Sequence, residues 1–284
     1  RNNMQTFKFT KMQGAGNDYI YVDCFKEKIT DINATAKAVS DRHFGIGSDG
    51  LVLICPSDKA DFRMDMYNSD GTQAEMCGNA TRCVGKYVHD RGLTDKTTIT
   101  LETLAGIKIL NLNLNENNEV DSVCVNMGSP ELVSEKIPVN SKLDRFIQED
   151  IIVDEKEYKV TCVSMGNPHA VTFVDDVNKI DIENIGPQFE CHTLFPKKIN
   201  TEFAQIVDRK TIKMRVWERG TGETFACGTG ACATLVAASL SDLTDDEADI
   251  ILLGGTLHIK WDKEENNIYM TGPAKFVYDG TITI

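Results

Sequence analysis

The feature that most constrains this chain is a pattern that recurs after 150 residues. Sixty residues separate Asn17 from Cys77, and sixty also separate Asn167 from Cys227. Residues 62–83 match the segment 150 positions further on without a gap. Solenoid repeats have periods of about 20–50 residues, so we interpret this longer period as two copies of a whole domain. Ligands favour domain interfaces, and we expect equivalent residues of the two copies to meet around one site.

Length and composition agree with two globular domains. The chain has 284 residues, and domains average about 150. Hydrophobic residues make up 41% of it, enough to form substantial cores. The net charge of −13, with no basic block, argues against nucleic acid or an anionic membrane as partner. No window approaches about 18 apolar residues, so no membrane-spanning helix is predicted.

The cysteines and the N-terminus favour a cytoplasmic protein. Nine cysteines are present and no CxxC pair occurs, so neither a zinc ribbon nor a thioredoxin motif is expected. No segment resembles a signal peptide, and Arg1, Asn2 and Asn3 precede Met4, where we expect the natural start. We therefore predict free thiols in a reducing compartment and no metal site.

Two of the cysteines precede predicted helices at equivalent positions of the two copies. Cys77 and Cys227 are each followed by a glycine, small residues and a helix-forming run. A thiol at a helix N-terminus is expected to have its pKa lowered from about 8.5. The free backbone N–H groups there can also hold a carboxylate.

Two opposed thiols suit the inversion of a carbon stereocentre. One thiolate can remove a proton from the carbon while the opposite thiol delivers a proton to the other face. The two helix N-termini can stabilise the developing negative charge. Glu218 is a candidate partner for a substrate amino group.

Seven stretches of the chain resemble the diaminopimelate epimerases, amino-acid epimerases that work without pyridoxal phosphate. The stretches are MQGAGND (12–18), RHFGIG (42–47), YNSDG (67–71), AEMCGN (74–79), MGNPH (165–169), ERGTGET (218–224) and ACGTGAC (226–232). The resemblance runs from Phe7 to the C-terminus. It implies an α+β fold of two pseudo-symmetric domains, each a β-barrel-like sheet around a central helix. The implied domains are residues 1–126 with 272–284, and residues 127–271, so that the last dozen residues return to the first domain.

The resemblance also implies the site residues. It makes Cys77 and Cys227 catalytic, and it gives His169 and Glu218 a role in tuning the thiol pKa values. The residues implied to bind substrate are Asn17, Asn68, Gly78, Asn79, Asn167, Asn200, Glu218, Arg219, Gly228 and Thr229. Among these, Arg219 is expected to grip the distal carboxylate with two hydrogen bonds. A homodimer without cofactor or metal is implied, with the small molecule diaminopimelate as substrate.

The chain departs from the family pattern at two positions. Ala80 stands where many members have glycine, and we expect its methyl group to fit if the residue is helical. Gly50 stands where some members carry a glutamine that touches the substrate. That contact is then missing or made by backbone alone.

We therefore expect interconversion of LL- and meso-2,6-diaminoheptanedioate, on the route to lysine. One alternative is another cofactor-independent racemase of the same superfamily, acting on proline or histidine. Asn68, Asn167, Asn200 and Arg219 favour the longer dicarboxylate. A second alternative is a thiol redox or metal-binding protein, since two close reactive thiols could oxidise or trap zinc.

Overall fold

The computed structural model describes residues 4–284, and Arg1, Asn2 and Asn3 before the predicted start lie outside the described residues. The chain divides into two compact units. Unit 1 contains the residues up to Val125 together with Gly272–Ile284, and unit 2 is Asn126–Thr271. Within residues 4–284, no helix has the length and apolar character needed to cross a membrane.

Four α-helices and eighteen strands make up the described chain. The helices are α1 (Ile32–Ser40), α2 (Gly78–Asp90), α3 (Ile182–Glu190) and α4 (Gly228–Leu240). The first eight strands are β1 (Thr6–Gly14), β2 (Asn17–Asp23), β3 (Gly50–Cys55), β4 (Phe62–Asn68), β5 (Gln73–Ala74), β6 (Thr98–Thr103), β7 (Gly106–Leu114) and β8 (Val120–Gly128). The others are β9 (Glu149–Val153), β10 (Lys156–Ser164), β11 (Pro168–Phe173), β12 (Asn200–Asp208), β13 (Thr211–Glu218), β14 (Gly222–Glu223), β15 (Glu247–Leu252), β16 (Gly255–Asp262), β17 (Asn267–Pro273) and β18 (Lys275–Thr283).

Both units use the same order of strand pairings. In unit 1, β2 is parallel to β3, β3 is antiparallel to β4, and β4 is parallel to β6. In unit 2, β11 is parallel to β12, β12 is antiparallel to β13, and β13 is parallel to β15. A duplicated domain produces such a repetition, so the pairings confirm the duplication predicted from the 150-residue offset and the α+β fold implied by the family resemblance.

The outermost pairings of the two units also correspond. Strand β1 pairs with β2 on one side and with β18 on the other, where Thr6 lies opposite Thr283 and the register shifts by one residue between Lys11 and Met12. In the same way, β10 pairs with both β11 and β9. The chain end therefore adds a strand to unit 1.

One long helix is surrounded by sheet in each unit. Helix α2 packs against β1, β2 and β7, and α4 packs against β10, β11, β12, β15 and β16. Helix α4 is rich in alanine and other apolar residues on every face, which is typical of a helix with no solvent-exposed side. Even Arg82 of α2 is fully buried, and its Nε donates to the Pro273 carbonyl at 3.1 Å. The predicted barrel-like sheet around a central helix is confirmed.

Candidate active site

Cys77 and Cys227 are the N-cap residues of the two central helices. Each has extended backbone geometry, with φ of −138° at Cys77 and −130° at Cys227, and each is followed by the glycine that begins the helix. Both are free thiols. The Gly230 N–H donates to Cys227 Sγ at 3.3 Å. The predicted placement of each sulfur at a helix N-terminus is confirmed.

The predicted direction of the thiol pKa shift was wrong. Burial raises the pKa of the Cys77 thiol, and the amides of Ala80 and Asn79 lower it only in part. Burial and then the negative charges of Glu218 and Glu202 raise the pKa of Cys227 well above its ordinary value. The helix amides lower the thiol pKa, as expected, but burial removes water from the sulfur and raises the pKa by more.

In unit 1, Asn17 is oriented toward the Cys77 thiol. Cys77 Sγ donates to Asn17 Oδ1 at 3.2 Å, and Asn79 Nδ2 donates to the same oxygen at 3.4 Å. The Asn17 amide group in turn donates to Asp49 Oδ2 at 2.6 Å. This second contact sets which way the Asn17 amide points. The hydroxyl of the buried Tyr19 also contributes to lowering the pKa of Cys77.

Asp49 belongs to a network of four charged side chains. Arg42 donates to both Asp18 oxygens at 3.1 and 2.8 Å and to Asp49 at 3.2 Å. Lys11 is 2.9 Å from Asp18 Oδ2. Burial raises the pKa of Asp18, but the hydrogen bonds from Arg42 and Lys11 outweigh it and lower the pKa to about 2. Sequence reasoning missed Asp49, although it closely follows the RHFGIG stretch.

Asp18→Asn is expected to reduce the free energy of unfolding at pH 7 by about 2 kcal/mol. A carboxylate whose pKa is lowered on folding stabilises the protein above the unfolded-state pKa, near 3.8. That contribution disappears as the pH falls through the folded-state value of about 2. Urea titrations at several pH values should therefore show a wild-type advantage that vanishes near pH 2. The exposed Asp58→Asn variant is the control, and an equal loss there would contradict the network.

The two departures from the family pattern have structural explanations. Gly50 lies opposite Asn68 in the β3–β4 register. A Cβ at Gly50 would lie 2.1 Å from the Tyr67 carbonyl oxygen and 3.0 Å from Tyr19 Cε1, so this backbone has no room for glutamine. Ala80 is buried inside α2, where its methyl group fits as expected. Asn68 is exposed and donates to Thr72 Oγ1 at 3.1 Å.

In unit 2, the predicted residues Asn167, His169 and Thr229 contact one another beside Cys227. His169 Nε2 lies 3.0 Å from Asn167 Oδ1 and 3.1 Å from Thr229 Oγ1. Asn167 Nδ2 donates to Thr229 Oγ1 at 3.2 Å, and that oxygen is 3.6 Å from Cys227 Sγ. His169 Nδ1 contacts the buried Glu202 at 2.6 Å.

The remaining predicted residues of unit 2 lie around the same strands. Asn200 at the start of β12 accepts from the Arg219 backbone N–H at 2.8 Å, which holds the turn after β13. The Arg219 side chain is exposed, and its Nη1 donates to the Lys197 carbonyl at 3.1 Å. Burial raises the pKa of Glu218, whose Oε2 accepts a hydrogen bond from Thr224. The neighbouring Cys227 thiol lowers the pKa of Glu218 in part.

Sequence reasoning missed Glu202. The position 150 residues earlier is Val52, within the apolar strand β3, so the repeat gives no signal for a carboxylate there. In the sequence, Glu202 stands out only as the first charged residue of β12. Apolar Phe203 and Ala204 follow it directly, and the next charged residue is Asp208 at the end of the strand.

Each unit thus carries a thiol at a helix N-terminus beside an asparagine, and the two units have the same order of strand pairings.

Solved structures of low sequence identity share this fold. A phenazine biosynthesis protein of the PhzF family from Bacillus anthracis matches with a TM-score of 0.72 and 18% identity, covering 99% of this chain and 100% of that one. A hydroxyproline epimerase from Agrobacterium vitis matches with a TM-score of 0.67 and 12% identity, covering 100% of this chain and 93% of that one. The protein is therefore of the two-domain α+β class that includes these structures.

Sequence comparison narrows the class to a family. The profile of the family described as Diaminopimelate epimerase matches residues 9–133 and 161–277. A protein named diaminopimelate epimerase from Acetivibrio thermocellus is 58% identical over 277 residues, which is 98% of this chain and 99% of that protein. The chain belongs to the diaminopimelate epimerase family.

Proposed function

We propose that this protein is an isomerase that interconverts LL- and meso-2,6-diaminoheptanedioate, with Cys77 and Cys227 as its acid–base pair. The observation that carries the proposal is the repeated placement of a thiol. Each cysteine is the N-cap residue of the central helix of its unit. Asn17 contacts Cys77 directly, and Asn167 contacts Thr229 in the first turn of α4. Family membership supplies the substrate class.

The reaction uses the two thiols in opposite protonation states. One cysteine thiolate removes the hydrogen from the α-carbon, and the other cysteine thiol donates its proton to the opposite face. The first S–H bond forms as the second breaks, so no net proton is gained or lost. As the α-hydrogen leaves, negative charge develops on the substrate carboxylate, where the helix N–H groups can stabilise it. Burial raises both thiol pKa values, so a thiolate, once formed, is a stronger base for removing that hydrogen.

The surrounding residues provide the binding groups that this substrate needs. Backbone N–H groups at Gly78 and Asn79, and at Gly228 and Thr229, suit the carboxylate of the reacting centre. The exposed Arg219 guanidinium suits the distal carboxylate. We assign the substrate amino groups to Glu218 and to Asn17, Asn68, Asn167 and Asn200.

Exchange of the α-hydrogen in deuterated water tests this function. We expect proton NMR to show loss of the α-hydrogen signal with LL-diaminopimelate at a rate comparable to epimerisation. Proline and histidine, tested side by side, should show no exchange because neither has a distal carboxylate for Arg219. Absence of exchange with LL-diaminopimelate, or faster exchange with either of the others, would overturn the substrate assignment.

We further propose a cytoplasmic homodimer serving lysine biosynthesis. Thiol acid–base chemistry needs reduced cysteines, which a reducing compartment maintains. The dimer rests on the family resemblance alone.

A further inference from the structure

Glu190 is a buried carboxylate at the end of helix α3, and its two oxygens contact two parts of the same hairpin. Only 8% of the residue is exposed. Oε2 accepts a hydrogen bond from Trp217 Nε1 at 2.8 Å, and Oε1 accepts one from the Gly220 backbone N–H at 2.7 Å. The proposed reaction does not use this carboxylate, so its burial needs a compensating role.

The two groups that contact Glu190 are both donors, and a carboxylate is the side chain that suits them. An indole N–H and a backbone N–H donate hydrogen bonds and cannot accept them, whereas a carboxylate accepts at both of its oxygens. Glutamine at the same position would place its own NH2 group opposite one of these donors. The contacts therefore require the acid and not its amide.

Helix α3 packs closely against the indole that Glu190 binds. A Cβ at Gly186, one turn before Glu190, would lie 2.4 Å from Trp217 Cδ2. Trp217 in turn pairs with Glu223 in the hairpin formed by β13 and β14. Glu190 therefore reaches the hairpin turn from a helix that packs directly onto the strand leading into that turn.

The turn that Glu190 contacts contains Arg219, which lies between two anchored peptide groups. The Asn200 side chain accepts from the Arg219 N–H at 2.8 Å, and Glu190 accepts from the Gly220 N–H. Peptide groups are planar, so fixing the two that flank the Arg219 Cα fixes φ and ψ of that residue and the direction of its side chain. Gly220, with a φ of +76°, has no side chain to restrict the backbone, and the contact with Glu190 supplies that restriction.

We propose that Glu190 is a positioning residue that directs the Arg219 guanidinium toward the distal carboxylate of the substrate, an inference that rests on the proposed function. Asn200 alone would leave the peptide group after Arg219 free to rotate. Arg219 Nη1 donates to the Lys197 carbonyl, which leaves the other guanidinium N–H groups for a carboxylate. Two parallel hydrogen bonds form only when the guanidinium is correctly oriented, so Glu190 contributes to selectivity for a dicarboxylate by acting through Arg219.

Hydrogen exchange of the Gly220 amide tests the contact in the protein without substrate. Mass spectrometry of the peptide covering residues 218–224, fragmented by electron transfer, resolves this amide. We expect it to be protected in the wild type and to exchange about tenfold faster or more in Glu190→Gln. Glu183→Gln is the matched control and should leave the exchange unchanged, because Glu183 is exposed in the first turn of the same helix. An unprotected Gly220 amide in the wild type would overturn the proposal, and that result requires no variant to fold.

Steady-state kinetics with LL-diaminopimelate test the consequence for Arg219. Glu190→Gln should raise KM about tenfold, which corresponds to one charge-assisted hydrogen bond, while kcat changes less than about threefold. In an Arg219→Ala background the same substitution should leave KM within about twofold, because the contact that Glu190 positions is already gone. General damage to folding would lower kcat and act alike in both backgrounds. Equal factors in the two backgrounds, or a loss confined to kcat, would therefore overturn the positioning role.

The two measurements also separate this inference from the proposed function. If the wild type failed to exchange the α-hydrogen of LL-diaminopimelate, the substrate assignment would fail, whereas the Gly220 amide would still show whether Glu190 holds the turn. A protected amide with an unchanged KM in Glu190→Gln would overturn the positioning role and leave the substrate assignment intact.

Discussion

Alanine at either Cys77 or Cys227 is expected to lower kcat/KM for epimerisation by about 10⁴-fold or more. General acid–base groups contribute about 10²–10⁴-fold each to the reaction rate. Because this reaction needs both thiols, either substitution interrupts it. Both cysteines are N-cap residues just before a central helix, so the loss should come without unfolding. The measurement is the initial rate in each direction, with circular dichroism as the check on folding.

Cys83→Ala is the matched control for this experiment. Cys83 is fully buried in the same helix as Cys77 but lies in its interior. We expect its activity to stay within about twofold of wild type, with a stability loss of about 1 kcal/mol from the vacated volume. More than a few per cent of activity in Cys77→Ala or Cys227→Ala would contradict the two-thiol mechanism.

Gly50→Ala is expected to cost about 3 kcal/mol or more of the free energy of unfolding, although it adds a single methyl group. The new Cβ would lie 2.1 Å from the backbone oxygen of Tyr67, which is bonded into strand β4 and cannot rotate away. The strands must separate where Gly50 pairs with Asn68, so activity should fall as well. Urea unfolding and steady-state kinetics measure the two effects.

Gly106→Ala separates this clash from ordinary backbone strain. Gly106 has a φ of +100°, and a Cβ there would meet nothing within 4 Å. We expect only the conformational cost of a side chain at positive φ, about 1–2 kcal/mol. If Gly50→Ala lost no more unfolding free energy than Gly106→Ala, strands β3 and β4 would have to adjust to the methyl group. The glutamine of other family members could then be accommodated as well.

Much of the scaffold could be predicted because patterns within the sequence itself encode it. The spacing of Asn17 and Cys77, repeated at Asn167 and Cys227, predicts the duplication, and the pairings of both units follow the same order. The small residues after each cysteine predict helices that begin there, and α2 and α4 do. The helix signals act over a few neighbouring residues, and the repeat is found by comparing the sequence with itself, so neither requires knowledge of the fold.

The supporting residues of the site could not be predicted in this way. Asp49 contacts Asn17 from 32 positions away, and Glu202 contacts His169 from 33 positions away. No spacing rule connects such pairs, because parallel strands β2–β3 and β11–β12 bring them together. Glu202 also has no acidic counterpart in the first copy, so the duplication conceals it.

The sequence alone determined that this protein is a duplicated α+β chain with a cysteine at the start of each central helix. The tertiary structure decided the electrostatics of those cysteines. A helix N-terminus stabilises a thiolate through a few adjacent amides, which are local, whereas burial and the charges of Glu202 and Glu218 come from distant parts of the chain. In the folded protein the distant contributions are the larger, and they reverse the sign of the pKa shift that the motif alone predicts.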